Sequence, residues 1–497
     1  MDFIKRYILV IALLMQALLL GWRLDLLPIW GDERYTLGTA AQMPRVILEA
    51  LHVDVHPPLY YFLVKGWLSL PLPGDALGRA RALSAIVALA ATAAFYLLWL
   101  RRLPFSERAL FLGLWVSSPF LTLYARIARS YTLQLLLTLI AIRMARDWLQ
   151  SPVSRPRMIR YIVAEVILLY THYLPGLAVA AGTACLGLWR RQWRHFAALA
   201  VMALAYAPWL GTLAATATLV AMTRPYHAVG DPLLEHLLKL GYAFLAFNFG
   251  ETIPLWAAVV AAVLAPVLLW TLWNAWRQTK RPPVLFLLTA LVGYFVAASW
   301  VSFPFVGARL LFLLPFYYLF LLRGIRWGSM SGKLIYAGLI ATACGGLASY
   351  HLKQDFLNKG YLVDYAEIAR LVREKSGAEQ PFVLLDGYTA SAGYYLHAPG
   401  FSSGVDFIDS PLASQRALEH VRHRRPKVIW YLRYARDLTP ERLHDHLLAE
   451  LARDYVIRRY GFVPYSWLDR KVIQALGFAE APTHVVQAVE LLPREGS

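Results

Sequence analysis

Apolar stretches long enough to cross a bilayer recur from the N-terminus to about residue 350 of this 497-residue chain. A helix needs about 20 apolar residues to span the hydrocarbon core. Only 16% of the residues are charged, whereas an ordinary soluble domain has about 25%. The sequence therefore predicts a mainly α-helical polytopic membrane protein with about eleven transmembrane helices, near residues 7–22, 80–100, 108–123, 130–149, 159–170, 174–189, 196–216, 253–276, 283–302, 308–322 and 333–350.

The distribution of basic residues predicts how these helices are threaded. Residues 1–350 hold 30 Lys and Arg against 13 Asp and Glu. Cytoplasmic loops of membrane proteins carry an excess of Lys and Arg. With a cytoplasmic N-terminus, the cytoplasmic loops collect 19 basic and 3 acidic residues. This threading places the C-terminus on the extracytoplasmic side.

One apolar segment, residues 57–72, has prolines at both ends and Lys65 in its middle. If this segment crossed the membrane, every later loop would change sides and the arginine-rich loops would face outward, against the same rule. We therefore predict a juxtamembrane or re-entrant helix, which is tolerated where it packs against protein or lines a cavity. The first outer loop then extends over residues 23–79.

From residue 351 onward the chain resembles a soluble domain, with 19 basic and 18 acidic residues. Helix-like segments alternate with strand-like ones in the order DYAEIARLVREKSG, PFVLLDG, SPLASQRALEHVRHRR, KVIWYLRYA and TPERLHDHLLAELARDY. Such alternation is typical of an α/β domain with some parallel strands. We predict a transmembrane domain over 1–350 and an extracytoplasmic α/β domain over 351–497.

Several functions and features are disfavoured by the sequence. The basic excess is explained by membrane topology, and no nucleic-acid motif accompanies it, so nucleic acid is not an expected partner. Cys185 and Cys344 both lie in apolar stretches, so no disulfide framework is predicted. The segment DGYTASAGYY lacks the glycine spacing of a nucleotide-binding loop and receives no such role.

Polar residues that are unusual beside apolar segments collect on the predicted outer side. The first outer loop carries the adjacent acids Asp32 and Glu33, followed by Asp54 and His56. Three further segments, YARIARSYTL, YTHY and FVGARL, contribute the remaining candidates, which are Tyr124, Arg126, Arg129, Tyr131, His172 and Arg309.

Carboxylates, imidazoles and guanidiniums at one membrane face suit a reaction on an anionic lipid headgroup. Arginine binds phosphate oxygens in a bidentate manner, and a carboxylate can take the proton from an acceptor hydroxyl. Asp32 and Glu33 are therefore the candidate catalytic acids. The histidine, tyrosine and arginine candidates are predicted to bind the substrate or its phosphate.

Structural explanations stand beside this hypothesis. Asp32 and Glu33 could cap a helix. Arg126 and Arg129 could reach lipid phosphates at the interface. Glu165, in the middle of an apolar stretch, either pairs with an interior polar residue or is a protonated structural acid.

A bound metal ion is a further alternative. The ligands of a divalent ion would be Glu33, Asp54, His56 and His172, although these residues lack the close spacing of a metal site. The sequence therefore requires no cofactor, and a divalent metal ion remains a minority hypothesis.

Taken in order, these segments resemble bacterial membrane glycosyltransferases related to protein O-mannosyltransferases and to the lipid A aminoarabinose transferase, the glycosyltransferase family 39, which has a GT-C fold. The resemblance covers most of residues 25–370 in the expected order. The matching pieces are DERYTLG, HPPLYYFLVKGWL, RARALS, SPFLTLYARIARSYTLQLLL, YTHY, APWL, ARLLFLLPFYYL and DYAEIARLVRE.

The resemblance implies an inverting transfer of a sugar from a polyprenyl-phosphate donor to an extracytoplasmic hydroxyl of a lipid, polysaccharide or protein, at the bacterial inner membrane. It also implies Asp32 as the general base and Glu33 as its neighbour. His56 would lie near the donor phosphate, and Arg129 and Arg309 correspond to the arginines of the family.

Two positions depart from the family pattern. Relatives commonly have an acid where Ile127 stands and a tyrosine where Leu310 stands, which leaves the donor and acceptor chemistry open. A glycan ligase and a transporter or flippase for lipid-linked sugars are alternative functions. A flippase would predict paired broken helices at the midplane and inverted halves, and the sequence indicates neither.

Overall fold

The computed structural model describes residues 2–494 except 53, 55, 228–231, 280–283, 301–305, 378–379, 388, 397–403, 409, 436–441 and 476–481. The chain forms two compact units. Unit 1 comprises Met1–Leu24, Thr36–Arg224 and Asp231–Leu357, whereas Asp25–Tyr35, Pro225–Gly230 and Asn358–Ser497 belong to unit 2. A short segment of the first outer loop thus folds with the C-terminal residues.

Up to Leu357, the regular secondary structure of the described residues is entirely helical. Their bounds are α1 Asp2–Gly21, α2 Gly31–Ala41, α3 Pro44–His52, α4 Leu59–Leu68, α5 Ala76–Phe95, α6 Phe105–Val116, α7 Pro119–Ala125, α8 Tyr131–Leu149, α9 Arg155–Thr171, α10 Tyr173–Trp189, α11 Arg194–His227, α12 Pro232–Phe249, α13 Leu255–Val263, α14 Ala265–Gln278, α15 Val284–Trp300, α16 Val306–Arg309, α17 Leu314–Gly324 and α18 Met330–His351. A π-helical turn, Tyr96–Leu100, continues α5, and a 3₁₀ turn, Leu311–Leu313, precedes α17.

Each of the eleven predicted transmembrane stretches coincides with a helix or with successive helices, apart from residues 283, 301 and 302, which lie outside the described residues. Within the described residues, three helices are by themselves long and apolar enough to cross a membrane, and the α13–α14 pair, bent by 51°, could add a fourth. Shorter apolar helices include α1, α10, α15 and the segment Leu311–Gly324. The chain is therefore a polytopic helical membrane protein.

Helix α12 was not predicted, because charged residues interrupt its apolar surface. Glu235 and Lys239 lie one turn apart in α12, and both side chains are buried. The Lys239 ammonium lies 2.5 Å from the Glu235 carboxylate, and it also donates to the carbonyl of Ala298 in α15 at 2.6 Å. Pairing the two charges reduces the penalty of burying either one alone, which a count of apolar residues does not capture.

The apolar segment 57–72, predicted to be a juxtamembrane or re-entrant helix, contains α4, which has 10 residues. At 1.5 Å per residue this helix is about 15 Å long, half the roughly 30 Å thickness of the hydrocarbon core. Its length agrees with the predicted juxtamembrane or re-entrant helix. Tyr60, Tyr61 and Val64 are buried on one side of α4, which directs the Tyr61 hydroxyl into unit 1.

Unit 2 is an α/β domain, as predicted for the C-terminal residues. Its elements are α19 Tyr365–Ser376, β1 Phe382–Asp386, α20 Ala392–Leu396, β2 Gly404–Ile408, α21 Pro411–Arg424, β3 Ile429–Tyr434, α22 Leu443–Leu451, β4 Tyr455–Pro464, α23 Trp467–Ala475 and β5 His484–Pro493. The sheet order is β2-β1-β3-β5-β4. The first three strands are parallel, and β5 is antiparallel to both of its neighbours.

The helices and strands predicted within 364–455 are confirmed, apart from the start of the third helix at 439–441, which lies outside the described residues. Alternate residues of β1 and β3 explain the layers of the domain. Val383, Leu385 and Trp430 pack on one face with α19, whereas Leu384 and Tyr431 pack on the other with α21 and α22.

Two contacts anchor the segment Asp25–Tyr35 within unit 2. The backbone N–H of Ile29 donates to the Tyr395 hydroxyl at 3.3 Å. The ring of Trp30 lies 4.6 Å from that of Tyr361, centre to centre. The residues just before α2 are thus part of the hydrophobic packing of the C-terminal domain.

Candidate functional site

Arg129 lies at the centre of the polar side chains identified from the sequence. It follows α7 in a short turn and is only 4% exposed. Its Nη1 donates to the hydroxyls of Thr36, at 3.1 Å, and Tyr61, at 3.3 Å. Its Nη2 lies 2.8 Å from Nε2 of His56. A guanidinium has no acceptor, so Nε2 of His56 must accept this hydrogen bond.

His56 is held in one tautomer by its two neighbours. Because Nε2 accepts from Arg129, the ring proton lies on Nδ1, which donates to the Asp54 carboxylate at 3.2 Å. Burial, followed by the nearby Arg129 charge, lowers the pKa of the His56 imidazole, and Asp54 opposes this shift only in part. His56 is therefore neutral near pH 7 and orients Arg129 without adding a positive charge.

His172 stands between α9 and α10, where its Nδ1 accepts the backbone N–H of Leu174 at 3.3 Å. Its ring centre lies 6.0 Å from that of His56, with the two rings nearly perpendicular. Burial, followed by the Arg309 charge, lowers the pKa of His172 well below its ordinary value. A neutral His172 with Nδ1 as acceptor carries its proton on Nε2.

Arg309 brings a second permanent charge to this region from the end of α16. Its Nη1 donates to the hydroxyl of Tyr131, the first residue of α8, and its guanidinium carbon lies 5.4 Å from the centre of that ring. The Tyr131 ring in turn lies 5.0 Å from the ring of Tyr124. The Arg309 charge lowers the pKa of both His56 and His172. Arg309 therefore lies close enough to the two imidazoles to interact with them.

We refer to five residues, His56, Arg129, Tyr131, His172 and Arg309, as the arginine–histidine cluster. Its two guanidiniums keep their charge at any physiological pH, whereas its imidazoles are neutral. Arg129 is buried, but Arg309 and His56 are partly exposed, so a ligand can reach the cluster. Such an arrangement suits a phosphate, which accepts charge-assisted hydrogen bonds from arginine.

Arg126 was grouped with Arg129 in the sequence, but the structure does not bring it to the cluster. Its Nη2 donates to the backbone carbonyls of Trp22, at 2.9 Å, and Arg23, and its guanidinium carbon lies 4.9 Å from the centre of the Tyr350 ring. Carbonyls at the end of a helix lack partners within the helix and attract positive charge. These contacts assign Arg126 to capping the C-terminal end of α1.

Asp32 and Glu33 both lie in the first turn of α2. Glu33 is fully buried, and its Oε2 accepts the backbone N–H of Trp30 at 3.0 Å. A carboxylate that reaches back from the third helical position in this way caps the start of a helix. Asp32 is partly exposed. The capping explanation therefore applies to Glu33.

The candidate metal ligands do not assemble into a metal site. Among the described residues, no group of three or more His, Cys, Asp or Glu side chains could hold a metal ion. Asp54 and His56 bond to each other, the other nitrogen of His56 accepts from Arg129, and Nδ1 of His172 accepts from the backbone. Glu33 caps α2.

Glu251 contacts the same region but was not predicted. It follows α12, is 2% exposed, and accepts a hydrogen bond from the hydroxyl of Tyr124. Burial raises the pKa of Glu251 to about 7, although the hydrogen bond from Tyr124 opposes the shift. A Cβ added to Gly307 would lie 3.1 Å from Glu251 Oε1, so Glu251 packs directly against the turn that carries Arg309.

Replacement of Glu251 by glutamine should change how stability depends on pH. An unfolded glutamate has a pKa near about 4.3, so the raised folded pKa contributes stability below that value which is lost as the pH rises through about 7. Glutamine keeps the acceptor for Tyr124 and does not titrate. We expect the melting temperature of Glu251→Gln minus that of the wild type to increase from pH 5 to pH 8. A pH-independent difference would contradict this assignment.

Glu165 remains outside the cluster. It is fully buried within α9, and neither of its carboxyl oxygens has a hydrogen-bond partner among the described residues. It lies seven residues before His172, which corresponds to about 10 Å along the axis of α9. The chemistry of the cluster therefore gives Glu165 no role.

Comparison with known proteins bears on the fold. No protein-family model and no curated protein matches the sequence. ArnT from Cupriavidus metallidurans in the apo state is 13% identical, with a TM-score of 0.54 over 97% of this chain and 96% of that one. ArnT bound to undecaprenyl phosphate is 14% identical, with a TM-score of 0.49 over the same shares. The chain thus has the polytopic membrane fold of ArnT, the GT-C fold that the sequence resemblance implied.

Proposed function

We propose that this protein is an inverting glycosyltransferase that moves a sugar from a polyprenyl-phosphate donor to an extracytoplasmic hydroxyl of a lipid, polysaccharide or protein. The observation that carries the proposal is the arginine–histidine cluster, in which Arg129 and Arg309 lie beside two neutral imidazoles. The fold agrees with this function, but the argument rests on the chemistry of the site, since one fold supports many activities.

The donor phosphate is assigned to the cluster. When the bond between the sugar and the phosphate breaks, the phosphate leaves as an anion and needs positive charge more than a proton. Arg129 is already oriented by Thr36, Tyr61 and His56, so little reorganisation is required during the reaction. The more exposed Arg309 supplies the second charge.

Asp32 is assigned as the general base. It precedes Thr36 by one turn of α2, and Thr36 accepts a hydrogen bond from Arg129. The acceptor oxygen bonds to the anomeric carbon as the bond from that carbon to the phosphate oxygen breaks, and the hydroxyl proton passes to Asp32. Attack from the face opposite the phosphate inverts the anomeric centre. Glu33 positions Asp32 by capping the helix.

The location of the cluster favours a transferase over a flippase. Tyr131 is the first residue of α8, and His172 directly precedes α10. A transporter is expected to place its site near the bilayer midplane, on broken helices of two related halves. Binding groups gathered at helix ends instead suit a reaction on a headgroup at the membrane surface.

The proposed location is the bacterial inner membrane, with a cytoplasmic N-terminus and unit 2 on the outer side. The excess of arginine in the assigned cytoplasmic loops supports this orientation. A phosphatase reporter fused after Ser497 is expected to be active, whereas a reporter that requires the cytoplasm is expected to be silent. The reverse readout would overturn the orientation.

Mass spectrometry of lipid-linked glycans in deletion and wild-type membranes tests the function. The deletion strain is expected to accumulate one polyprenyl-phosphate sugar and to lose one glycosylated acceptor, and plasmid-borne wild-type protein should restore both. Identical donor and acceptor pools in the two strains would refute the proposal. Accumulation of the donor only on the cytoplasmic leaflet would indicate a flippase instead.

A further inference from the structure

A cavity lies at the opposite end of the membrane helices from the arginine–histidine cluster. Helix α8 begins with Tyr131 in the cluster, and Arg146, which lines the cavity, is about 22 Å further along its axis. Helix α10 begins just after His172 and is followed by Arg190, which also lines the cavity. The cavity is therefore separate from the proposed transfer site.

The lining of this cavity combines positive charge with apolar walls. Its volume is about 670 Å³, and leucine, isoleucine, valine, phenylalanine and tryptophan side chains form most of its walls. Five arginines also line it, namely Arg102, Arg143, Arg146, Arg190 and Arg323. Among the described lining residues the acid is Asp147, whose carboxylate pairs with Arg143 at 3.1 Å. The lining thus carries a clear excess of positive charge.

Membrane topology alone does not account for this arrangement. Arginines near the C-terminal ends of helices follow from the positive-inside rule and from the helix dipole, but neither effect requires them to surround an apolar cavity. Arg143 and Arg146 lie 6.0 and 5.5 Å from the centre of the Trp99 ring, which holds both guanidiniums at the cavity wall. Lining residues come from α8, α10, α15 and α17 and from the π-helical turn that continues α5.

We propose that this cavity binds an anionic phospholipid, with its phosphate against the arginines and the upper part of an acyl chain on the apolar walls. At about 30 Å³ for a group the size of water, the volume holds roughly twenty such groups. That space suits a glycerophosphate headgroup and a short length of chain, with the rest of the lipid in the bilayer. Basic cavities between transmembrane helices are favourable sites for lipids with two phosphates, such as cardiolipin.

Native mass spectrometry of the full-length protein in detergent, titrated with cardiolipin or with phosphatidylcholine, tests the proposal. The wild type is expected to prefer cardiolipin. The variant Arg146→Gln/Arg190→Gln/Arg323→Gln should lose about a hundredfold in cardiolipin affinity, at roughly fivefold for each arginine. The matched control removes three exposed arginines of unit 2, Arg422→Gln/Arg453→Gln/Arg459→Gln, and should bind cardiolipin as the wild type does.

Equal loss in the cavity variant and the control would show an effect of net charge and overturn the site. Displacement of cardiolipin by inorganic pyrophosphate at equal concentration would show a site for free phosphate, which also overturns the lipid proposal. If the triple variant does not fold, Leu319→Trp provides an independent test, since it fills the apolar part of the cavity and keeps every arginine. This variant should lose cardiolipin binding, and unchanged binding would refute a role for the cavity.

Discussion

Asp32→Asn is expected to insert and fold normally yet to lose at least two orders of magnitude in the rate of sugar transfer. General-base catalysis typically contributes about 10² to 10⁴ in rate. Asparagine keeps the size and hydrogen-bonding reach of aspartate but cannot take a proton from the acceptor hydroxyl. The measurement is the release of polyprenyl phosphate from purified donor at matched protein levels, with saturating acceptor.

Asp25→Asn is the matched control, since it makes the same chemical change in an exposed residue of the same loop. It should retain wild-type transfer. Activity of Asp32→Asn within a few fold of the wild type would remove Asp32 from the role of base and leave Asp54 or Glu33 as the next candidate. Because Glu33 caps α2, its replacement should also lower the melting temperature, which separates a structural effect from a catalytic one.

Arg309→Lys is expected to lower transfer by roughly tenfold to a hundredfold, which corresponds to the loss of one charged hydrogen bond of about 1.5 to 3 kcal/mol. Lysine keeps the charge but cannot reproduce the planar bidentate fork that binds phosphate. Arg129→Lys should have a similar effect on transfer. It should also lower the melting temperature, because Arg129 is buried and holds Thr36, Tyr61 and His56 together.

Arg45→Lys controls for the exchange itself, because the Arg45 side chain is 89% exposed and pairs with Glu49 on the surface of α3. Its transfer rate should equal that of the wild type. The KM and kcat for the donor distinguish a role of Arg309 in binding the donor phosphate from a structural or lipid-anchoring role. Unchanged donor dependence in both Arg309→Lys and Arg129→Lys would assign these arginines to structure or lipid anchoring.

The membrane helices were predictable because burial in lipid imposes long apolar stretches on the sequence. Helix α12 was missed because its stability depends on the pairing of Glu235 and Lys239, which is visible only after folding. The short α4 was predictable because a membrane crossing by residues 57–72 would place the arginine-rich loops on the outer side, against the positive-inside rule. In unit 2, β4 escaped prediction because Arg458 and Arg459 interrupt its apolar pattern.

The candidate site was partly visible in the sequence, since charged residues beside apolar helices are costly unless they have a role. The sequence could not separate Arg129 from Arg126, three positions apart, because only the fold shows which carbonyls Arg126 caps. Nor could it reveal Glu251, whose significance depends on the approach of Tyr124 and Gly307 from distant parts of the chain.

The packing of Ile29 against Tyr395 has a consequence for biosynthesis. These two contacting residues are 366 positions apart. At translation rates of about 5 to 20 residues per second, the segment around Asp32 would wait roughly 20 to 70 seconds for its packing partner to be synthesised. The segment around Asp32, the residue that we propose as the base, therefore completes its packing only after the C-terminal domain has been made. A nascent or truncated chain would hold Arg129 and Arg309, the arginines that we propose to bind the donor, without that packing.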